Sequence, residues 1–451
     1  MIIPFRRRPK QDGRHTPNLW PVWLVAPGAL LLVGLVAYGL YHGAELLLAS
    51  ESTGKGKKPV PVQDVIKTTV TVLTLAGAVL AALYAYRKQL LDEGASHRAD
   101  ATQLTERYSK AAEQLGHEQA AVRLAGVYAM ARLADDWPEQ RQVCVDVLCA
   151  YLRMPYETDN NAPGFRHGER EVRLTIVRII RSHLLDPAED TTWCGRSLDF
   201  TGTIFDDGTD FSGVTFSGGL VYFRKAAFSG GLVDFSGATF SGGRVDFSRA
   251  TFSGGLVDFS EAAFSGGRVG FSGATLSGGQ VNFSRATLSG GQVNFSLATF
   301  SDGQVDFSEA RFSGGRVRFN WATFSGGRVD FVGATFSGGQ VDFSRATHSG
   351  GRVDFVGATF SGGRVDFVGA TLSGGRVNFS RATFCDGRIN FRKAAFSGGQ
   401  VDFSEATLSG GRVNFSEATL SGGQVDFRDS QVGAAANIDW GPFPPVPVNQ
   451  P

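Results

Sequence analysis

The stretch that decides the fold is the twelve-residue phrase VDFSRATFSGGL, residues 245–256, which VDFSEAAFSGGR follows at residues 257–268. From Val221 to Val425 the phrase returns in strict steps of 12 residues, which makes about 18 units, and two looser units precede them. The excess of glycine and phenylalanine, 59 and 36 in 451 residues, belongs to this repeat. A fixed short period is typical of a solenoid, in which each unit buries its apolar face by stacking on its neighbours.

The invariant letters of the unit predict its core and its corner. The inward residues of one unit are Val245, Phe247, Ala250 and Phe252; the first Phe is constant, and the second is Phe or Leu except at His348. We expect His348 to be a tolerated, partly hydrated defect in the core. The Gly-Gly pair suits a corner that needs positive φ or close backbone approach between coils.

Each unit divides into two pentads, VDFSR and ATFSG, and one extra pair of residues. This pattern resembles the pentapeptide-repeat family, whose five-residue unit has a central Leu or Phe, a small residue two positions before it and polar residues elsewhere. The resemblance covers about residues 197–428 and implies a right-handed quadrilateral β-helix, a β-solenoid in which four pentads form the sides of one coil. With the extra pairs, one coil holds 24 residues, and about ten coils at roughly 4.8 Å each give a rod on the order of 50 Å long.

Only the outward columns are free to carry recognition. If a coil holds two units, alternate units stack, and one edge of the rod presents Arg244, Arg268, Gln292, Arg316, Gln340, Arg364, Arg388 and Arg412. The opposite edge presents Leu232, Leu256, Gln280, Gln304, Arg328, Arg352, Arg376, Gln400 and Gln424. The candidate partner-binding residues are Arg316, Arg364, Arg388, Arg412, Arg328, Arg352 and Arg376. The alternative is a solvated edge on which each arginine pairs with the Asp two positions on.

The N-terminal part of the chain predicts a membrane hairpin. A basic segment, residues 1–19, precedes residues 20–90, in which two apolar runs at about 20–44 and 66–86 are long enough for transmembrane helices. A cleaved signal peptide is the alternative for the first run, but that run is too long and a second one follows. The arginines and lysines outside the hairpin place both termini in the cytoplasm, so the sequence predicts a multi-pass cell-membrane protein with the lipid bilayer as a partner.

Between the hairpin and the repeat, residues 95–190 change to a helical period of 3.6 and predict a small all-α domain. This segment resembles the helical region that precedes the repeats in actinobacterial membrane-associated pentapeptide-repeat proteins. After the repeat, the Pro-rich residues 429–451 form a tail or a cap. The four cysteines, Cys144, Cys149, Cys194 and Cys385, are too scattered for a disulfide framework, and we expect reduced, buried thiols.

Composition and motifs argue against chemistry in the rod. The repeat holds about 20 acidic and about 20 basic residues and the whole chain carries a net charge of +1, so no bulk field recruits nucleic acid. The serines form a ladder without a base beside them, which predicts no enzyme, no cofactor, no metal and no small-molecule substrate. The expected function is a membrane-anchored, non-enzymatic scaffold that binds an unidentified protein. The alternative that the resemblance implies is a DNA-mimic-like inhibitor of a topoisomerase or another nucleic-acid enzyme, which requires a strongly acidic rod.

Overall fold

The structure is a computed structural model that describes residues 28, 31, 34–36, 38–39, 42–43, 62–205, 208–443 and 445. The chain divides into two compact units, Met1–Glu106 and Arg107–Pro451. Between residues 62 and 205 of the described part lie four helices: α1, Val62–Leu115; α2, Ala120–Asp136; α3, Arg141–Arg153; and α4, Glu169–Ser182.

The predicted cell-membrane localisation with cytoplasmic termini is wrong, and the membrane hairpin is not found among the described residues. Among the described residues, no helix combines the length and the apolar character that a membrane crossing demands. The second predicted span, residues 66–86, is not an element of membrane length. It is part of the 54-residue helix α1, which continues through Arg87 and Lys88 into a strongly charged half. Residues 1–19 and most of the first predicted span, residues 20–44, lie outside the described residues.

The small helical region is confirmed. Helices α2, α3 and α4 bury apolar stripes that include Val127, Leu148 and Ile176, each with no exposed surface. Beneath them the guanidinium of Arg123 lies 3.3 Å from the carboxylate of Glu169, and the Tyr151 hydroxyl donates to that same carboxylate at 2.9 Å. Because a buried charge is tolerated only when it is paired, these contacts fix how the helices pack.

Forty-one short strands in the described residues form four parallel sheets, one on each side of the coil. Sheet A consists of β1 (Leu198–Asp199), β5 (Leu220–Tyr222), β9 (Arg244–Asp246), β13 (Arg268–Gly270), β17 (Gln292–Asn294), β21 (Arg316–Arg318), β25 (Gln340–Asp342), β29 (Arg364–Asp366), β33 (Arg388–Asn390), β37 (Arg412–Asn414) and β41 (Asn437–Asp439). Sheet B consists of β2 (Ile204–Phe205), β6 (Ala227–Ser229), β10 (Thr251–Ser253), β14 (Thr275–Ser277), β18 (Thr299–Ser301), β22 (Thr323–Ser325), β26 (Thr347–Ser349), β30 (Thr371–Ser373), β34 (Ala395–Ser397) and β38 (Thr419–Ser421).

Sheets C and D form the two remaining sides. Sheet C consists of β3 (Thr209–Asp210), β7 (Leu232–Asp234), β11 (Leu256–Asp258), β15 (Gln280–Asn282), β19 (Gln304–Asp306), β23 (Arg328–Asp330), β27 (Arg352–Asp354), β31 (Arg376–Asn378), β35 (Gln400–Asp402) and β39 (Gln424–Asp426). Sheet D consists of β4 (Thr215–Ser217), β8 (Thr239–Ser241), β12 (Ala263–Ser265), β16 (Thr287–Ser289), β20 (Arg311–Ser313), β24 (Thr335–Ser337), β28 (Thr359–Ser361), β32 (Thr383–Phe384), β36 (Thr407–Leu408) and β40 (Gln431–Val432).

The register confirms the predicted four-sided coil. Each strand pairs with the strand four places later, as Val245 pairs with Val269, so one turn takes two twelve-residue units. The result is a right-handed β-solenoid of about ten turns. Its interior is a set of aromatic ladders, in which Phe247 stacks on Phe271 with ring centroids 4.8 Å apart and an interplanar angle of 4°. Burial of an aromatic ring from every coil is therefore the main stabilising contribution to the rod.

The corners need unusual backbone at two places. In the Gly-Gly pair, Gly254 has a φ of +73°, and a Cβ on Gly255 would lie 2.9 Å from the carbonyl oxygen of Gly231. One glycine thus supplies positive φ and the other supplies close approach between coils. At the other corner the Ala250 amide donates to the Phe247 carbonyl at 3.0 Å. Between them Arg249 adopts a φ of 58°, a left-handed conformation that glycine adopts more easily.

Both ends of the solenoid are covered. Trp193, fully buried, stacks on His183 at 4.3 Å, and the amide of Thr215 in the first coil donates to the Leu184 carbonyl at 2.7 Å. At the other end, Trp440 contacts Phe427 at 4.9 Å and Phe443 contacts Phe415 at 5.0 Å. These aromatic residues cover apolar surface that the terminal coils would otherwise expose to water.

Candidate functional site

The register brings the predicted arginines together in two columns. In sheet A, Arg364 lies beside Arg388, and Arg388 lies beside Arg412; Arg316 precedes them, separated from Arg364 by Gln340. In sheet C, Arg328, Arg352 and Arg376 are consecutive neighbours. The stacking of these columns follows from the 24-residue coil, but the structure gives the two columns different electrostatic surroundings.

Ion pairs neutralise the sheet C column. The Arg328 Nε lies 2.6 Å from Asp330 Oδ1, Arg352 pairs with Asp354, and Arg376 Nη2 lies 2.7 Å from Asp402 on the next coil. Burial raises the pKa of the Asp330 carboxyl even though Arg328 donates to it. Asp330 and Asp354 are buried, so the first role of these arginines is to pair with carboxylates of the rod.

The sheet A column is only partly neutralised. Arg364 pairs with Asp366 at 2.6 Å. The other three candidates, Arg316, Arg388 and Arg412, are exposed, and none has a carboxylate partner in the described part of the chain. At each of the three, the position two residues on holds Arg318, Asn390 or Asn414 in place of Asp. Arg376 also has an Asn at this place but pairs with Asp402 on the next coil, so the contacts between coils decide which arginines are free.

One exposed apolar pair on the solenoid was not predicted from the sequence. Leu297 and Trp321, at the corner that follows sheet A, are 63% and 52% exposed. The Leu297 amide donates to the Asn320 carbonyl at 3.1 Å, which places the two residues on adjacent coils. The Arg345 guanidinium lies 4.9 Å from the centroid of the Trp321 ring. The sequence does mark these two residues as exceptions, since most units have Arg, Glu or Gly at this position of the repeat.

The interior position at His348 is dry rather than partly exposed. The imidazole is 0% exposed and stacks on Phe324 with centroids 4.5 Å apart and an angle of 3°. Within the described residues, neither ring nitrogen has a hydrogen-bond partner. Burial lowers the pKa of His348 to about 3, so the ring fills an aromatic place in the ladder as a neutral group.

The helical region holds an open cleft of about 530 Å³, bordered by Tyr156, Phe165, Arg166 and Arg170 and by the corner at 229–231. The neighbouring Glu169 is occupied by its contacts with α2 and α3, and burial, followed by the charge of Glu169, raises the pKa of Tyr151 to about 12. No cluster of three or more His, Cys, Asp or Glu able to hold a metal ion occurs among the described residues. The cleft therefore offers two guanidinium groups but no assembled catalytic set.

The cysteines differ from one another. Burial raises the pKa of Cys144 to about 11 and that of Cys149 to about 12, which makes both unreactive. The expectation of burial is wrong for Cys385, which is exposed, and Cys194 is only half-buried. Cys385 follows the second Phe of its unit, and that position points outward because side chains alternate along a strand.

His183 has an acidic partner that the sequence did not indicate. Its Nε2 lies 3.2 Å from a carboxylate oxygen of Asp135, and its Nδ1 lies 2.7 Å from the Ile179 carbonyl at the end of α4. Because Asp135 lies 48 residues away in the chain, only the packing of α2 against α4 brings the two groups together. The histidine holds the helix end and the Trp193 ring in place.

Comparison with known proteins agrees with this geometry. A search of the curated proteins finds no match. The model of the pentapeptide repeats, in 9 copies, matches residues 200–251 and 302–347. The matched residues lie in the four-sided β-solenoid, whose central Phe or Leu ladders fill the interior. Residues 200–251 and 302–347 of this chain are therefore similar to pentapeptide repeats.

Proposed function

We propose that this protein is a non-enzymatic scaffold that binds a protein partner through the sheet A face of its solenoid. The observation that carries the proposal is the set of exposed arginines, Arg316, Arg388 and Arg412, which have no carboxylate partner in the described residues. A guanidinium that is already paired gains little from a second carboxylate, whereas a free one offers five donors in a fixed fork.

The seven candidate arginines then divide into two groups. Arg328, Arg352, Arg364 and Arg376 are held by aspartates of the rod, so we assign them mainly to stability. The three free arginines are the proposed contact residues. A DNA-mimic inhibitor is not favoured, because a face lined with free arginines presents the opposite charge to DNA.

The test compares partner capture by two matched variants of the full chain. The variant R316Q/R388Q/R412Q removes three free charges, and glutamine already occupies this column at Gln292 and Gln340. The control R328Q/R352Q/R376Q removes three charges from sheet C, where Gln304 and Gln400 occupy the same column. Each protein is cross-linked in cell extract, and the captured proteins are identified by mass spectrometry.

We expect the first variant to lose the proteins that the wild type captures specifically, and the control to retain them. Circular dichroism checks that both variants keep their strands. If both variants capture the same proteins as the wild type, or if residues 107–190 alone capture all of them, the free arginines are not the contact surface and the rod is a spacer.

A further inference from the structure

One repeat unit departs from the others at three outward positions at once. In GGRVRFNWATFS, residues 314–325, Arg318 replaces the usual Asp or Asn, Asn320 replaces the usual Ser, and Trp321 occupies the turn. Across the strict units, Arg318 is the only basic residue at its position and Trp321 is the only aromatic residue at its own. These departures lie together on sheet A and its following corner.

The corner exposes apolar surface at a strained place. Leu297 and Trp321 have φ angles of 60° and 61°, a left-handed conformation that costs an L-residue roughly 1–2 kcal/mol. Gly273 occupies the same place one coil before Leu297 and offers no side chain to cover it. The same left-handed φ recurs at this corner in other units, as at Arg249 and Glu309. What distinguishes this place is the exposure of two large apolar side chains on adjacent coils, a feature expected of a binding surface.

The neighbouring sheet A face carries excess positive charge. Arg268, Arg316 and Arg318 lie on the first and third strands of three successive coils, and Gly270 and Asn294 leave places without a carboxylate on the first two of these strands. The Arg318 guanidinium donates to the Gln292 side-chain oxygen at 3.4 Å. Burial and the nearby Arg316 and Arg268 lower the pKa of Arg318, and Asp342 on the next coil opposes them.

We infer that this patch, formed by Leu297, Trp321, Arg316 and Arg318, binds an acidic segment of a partner protein. An apolar side chain of that segment packs on Leu297 and Trp321, and its carboxylates pair with the two arginines. Trp and Arg are the residues that most often dominate protein interfaces. The inference rests on the proposed scaffold function and names the chemistry of its partner.

The same features count against a nucleic acid as the occupant. Arg345 already covers one face of the Trp321 ring, and Leu297 has no stacking role towards a base. Binding of a single strand normally needs a charged groove that follows many phosphates together with successive aromatic platforms. The patch provides one aromatic ring and two arginines on a chain of net charge +1.

The experiment measures fluorescence anisotropy of a labelled twelve-residue peptide of alternating Glu and Leu with the full chain. Peptides of alternating Glu and Gly, and of Lys and Leu, and a twelve-nucleotide single-stranded DNA serve as comparison probes. L297G/W321G removes the apolar pair, and R316Q/R318N removes two charges. Each new residue already occurs in the same column, at Gly273, Gln292 or Asn294, so the fold is preserved.

We expect the Glu-Leu peptide to bind the wild type and to bind each variant at least tenfold more weakly. The control R376Q/R381G removes one charge from sheet C and one from the corner that follows it, and it should bind like the wild type. The Glu-Gly peptide should bind more weakly than the Glu-Leu peptide, and the Lys-Leu peptide should not bind.

Equal affinity of the Glu-Leu peptide for wild type and L297G/W321G overturns the inference, as does its failure to bind the wild type. Tighter binding of the DNA, lost in L297G/W321G, also overturns it and favours a nucleic-acid partner. The scaffold proposal can fail or hold independently of this inference. If capture of cellular proteins depends on Arg388 and Arg412 but not on Trp321, the scaffold proposal is supported and this patch is not the contact surface.

Discussion

Replacing the buried imidazole of His348 by phenylalanine should stabilise the solenoid, and the gain should grow in acid. At neutral pH the ring is uncharged, but its two nitrogens are buried without partners in the described residues. An unsatisfied buried polar group costs about 1–3 kcal/mol. The variant H348F restores the aromatic that stands at this place on the preceding coil, Phe324, so we expect a gain of about 2 kcal/mol at pH 7.5.

The pH dependence follows from the pKa of the ring. Burial lowers the pKa of His348 from about 6.5 to about 3, so between these values the unfolded chain binds a proton that the folded chain does not. Stability is therefore lost as the pH falls from about 6.5 towards 3. From pH 7.5 to 4.5 the unfolded-state group gains its proton over about two pH units, which at 1.36 kcal/mol per unit is about 3 kcal/mol.

The assay is urea denaturation of the full chain, followed by far-UV circular dichroism at pH 7.5 and pH 4.5. The contributions of all other titrating groups to the free energy of unfolding cancel when H348F is compared with the wild type at the same pH. The reverse variant F312H buries a second imidazole at the equivalent position of sheet D, where Phe312 is 1% exposed. It should lose stability, and lose more in acid. A gain for H348F that is the same at both pH values would refute the reasoning, because the ring would then titrate normally in the folded state.

Three further predictions concern the corners and the thiols. G255A should lower the free energy of unfolding by about 2 kcal/mol or more, because the new Cβ meets a carbonyl oxygen of the neighbouring coil. G254A should lower it by about 1 kcal/mol, because Gly254 has a positive φ but open space around it. Equal losses for the two variants in urea denaturation would contradict this assignment. Glu309 has a φ of 59°, so E309G should raise the free energy of unfolding by about 1 kcal/mol. A lower free energy of unfolding for this variant would mean that the turn is not strained. Iodoacetamide followed by mass spectrometry should label Cys385 in the folded chain while leaving the two thiols of α3 unmodified, and rapid labelling of α3 would contradict its burial.

The predictions that failed had treated a short local pattern as a complete structural element. The apolar run at residues 66–86 predicted a membrane span, yet it forms part of a helix of 54 residues. Composition over about 20 residues measures local hydrophobicity and does not locate the ends of the helix that contains it. Cys385 misled in a similar way, because its exposure depends on which way its strand position faces, whereas Cys144 and Cys149 are buried as predicted.

The repeat alone predicted a solenoid and its core, because a period of 12 with Phe at a fixed place lets the Val, Ala and Phe of each unit face inward. The four-sided turn of two units was implied by the resemblance to pentapeptide repeats, and the strand register confirms it. The stacking of Arg364, Arg388 and Arg412 follows from that 24-residue coil.

Only the tertiary structure decided which outward residues are free. Whether an arginine is neutralised depends on carboxylates two residues away or on the next coil, as for Arg376 and Asp402. The proximity of Leu297 and Trp321, 24 residues apart in sequence, and the burial of Asp354 beneath Arg352 likewise arise from contacts between coils. Short-range patterns set the backbone, whereas electrostatic pairing and exposure depend on neighbours that the fold brings together.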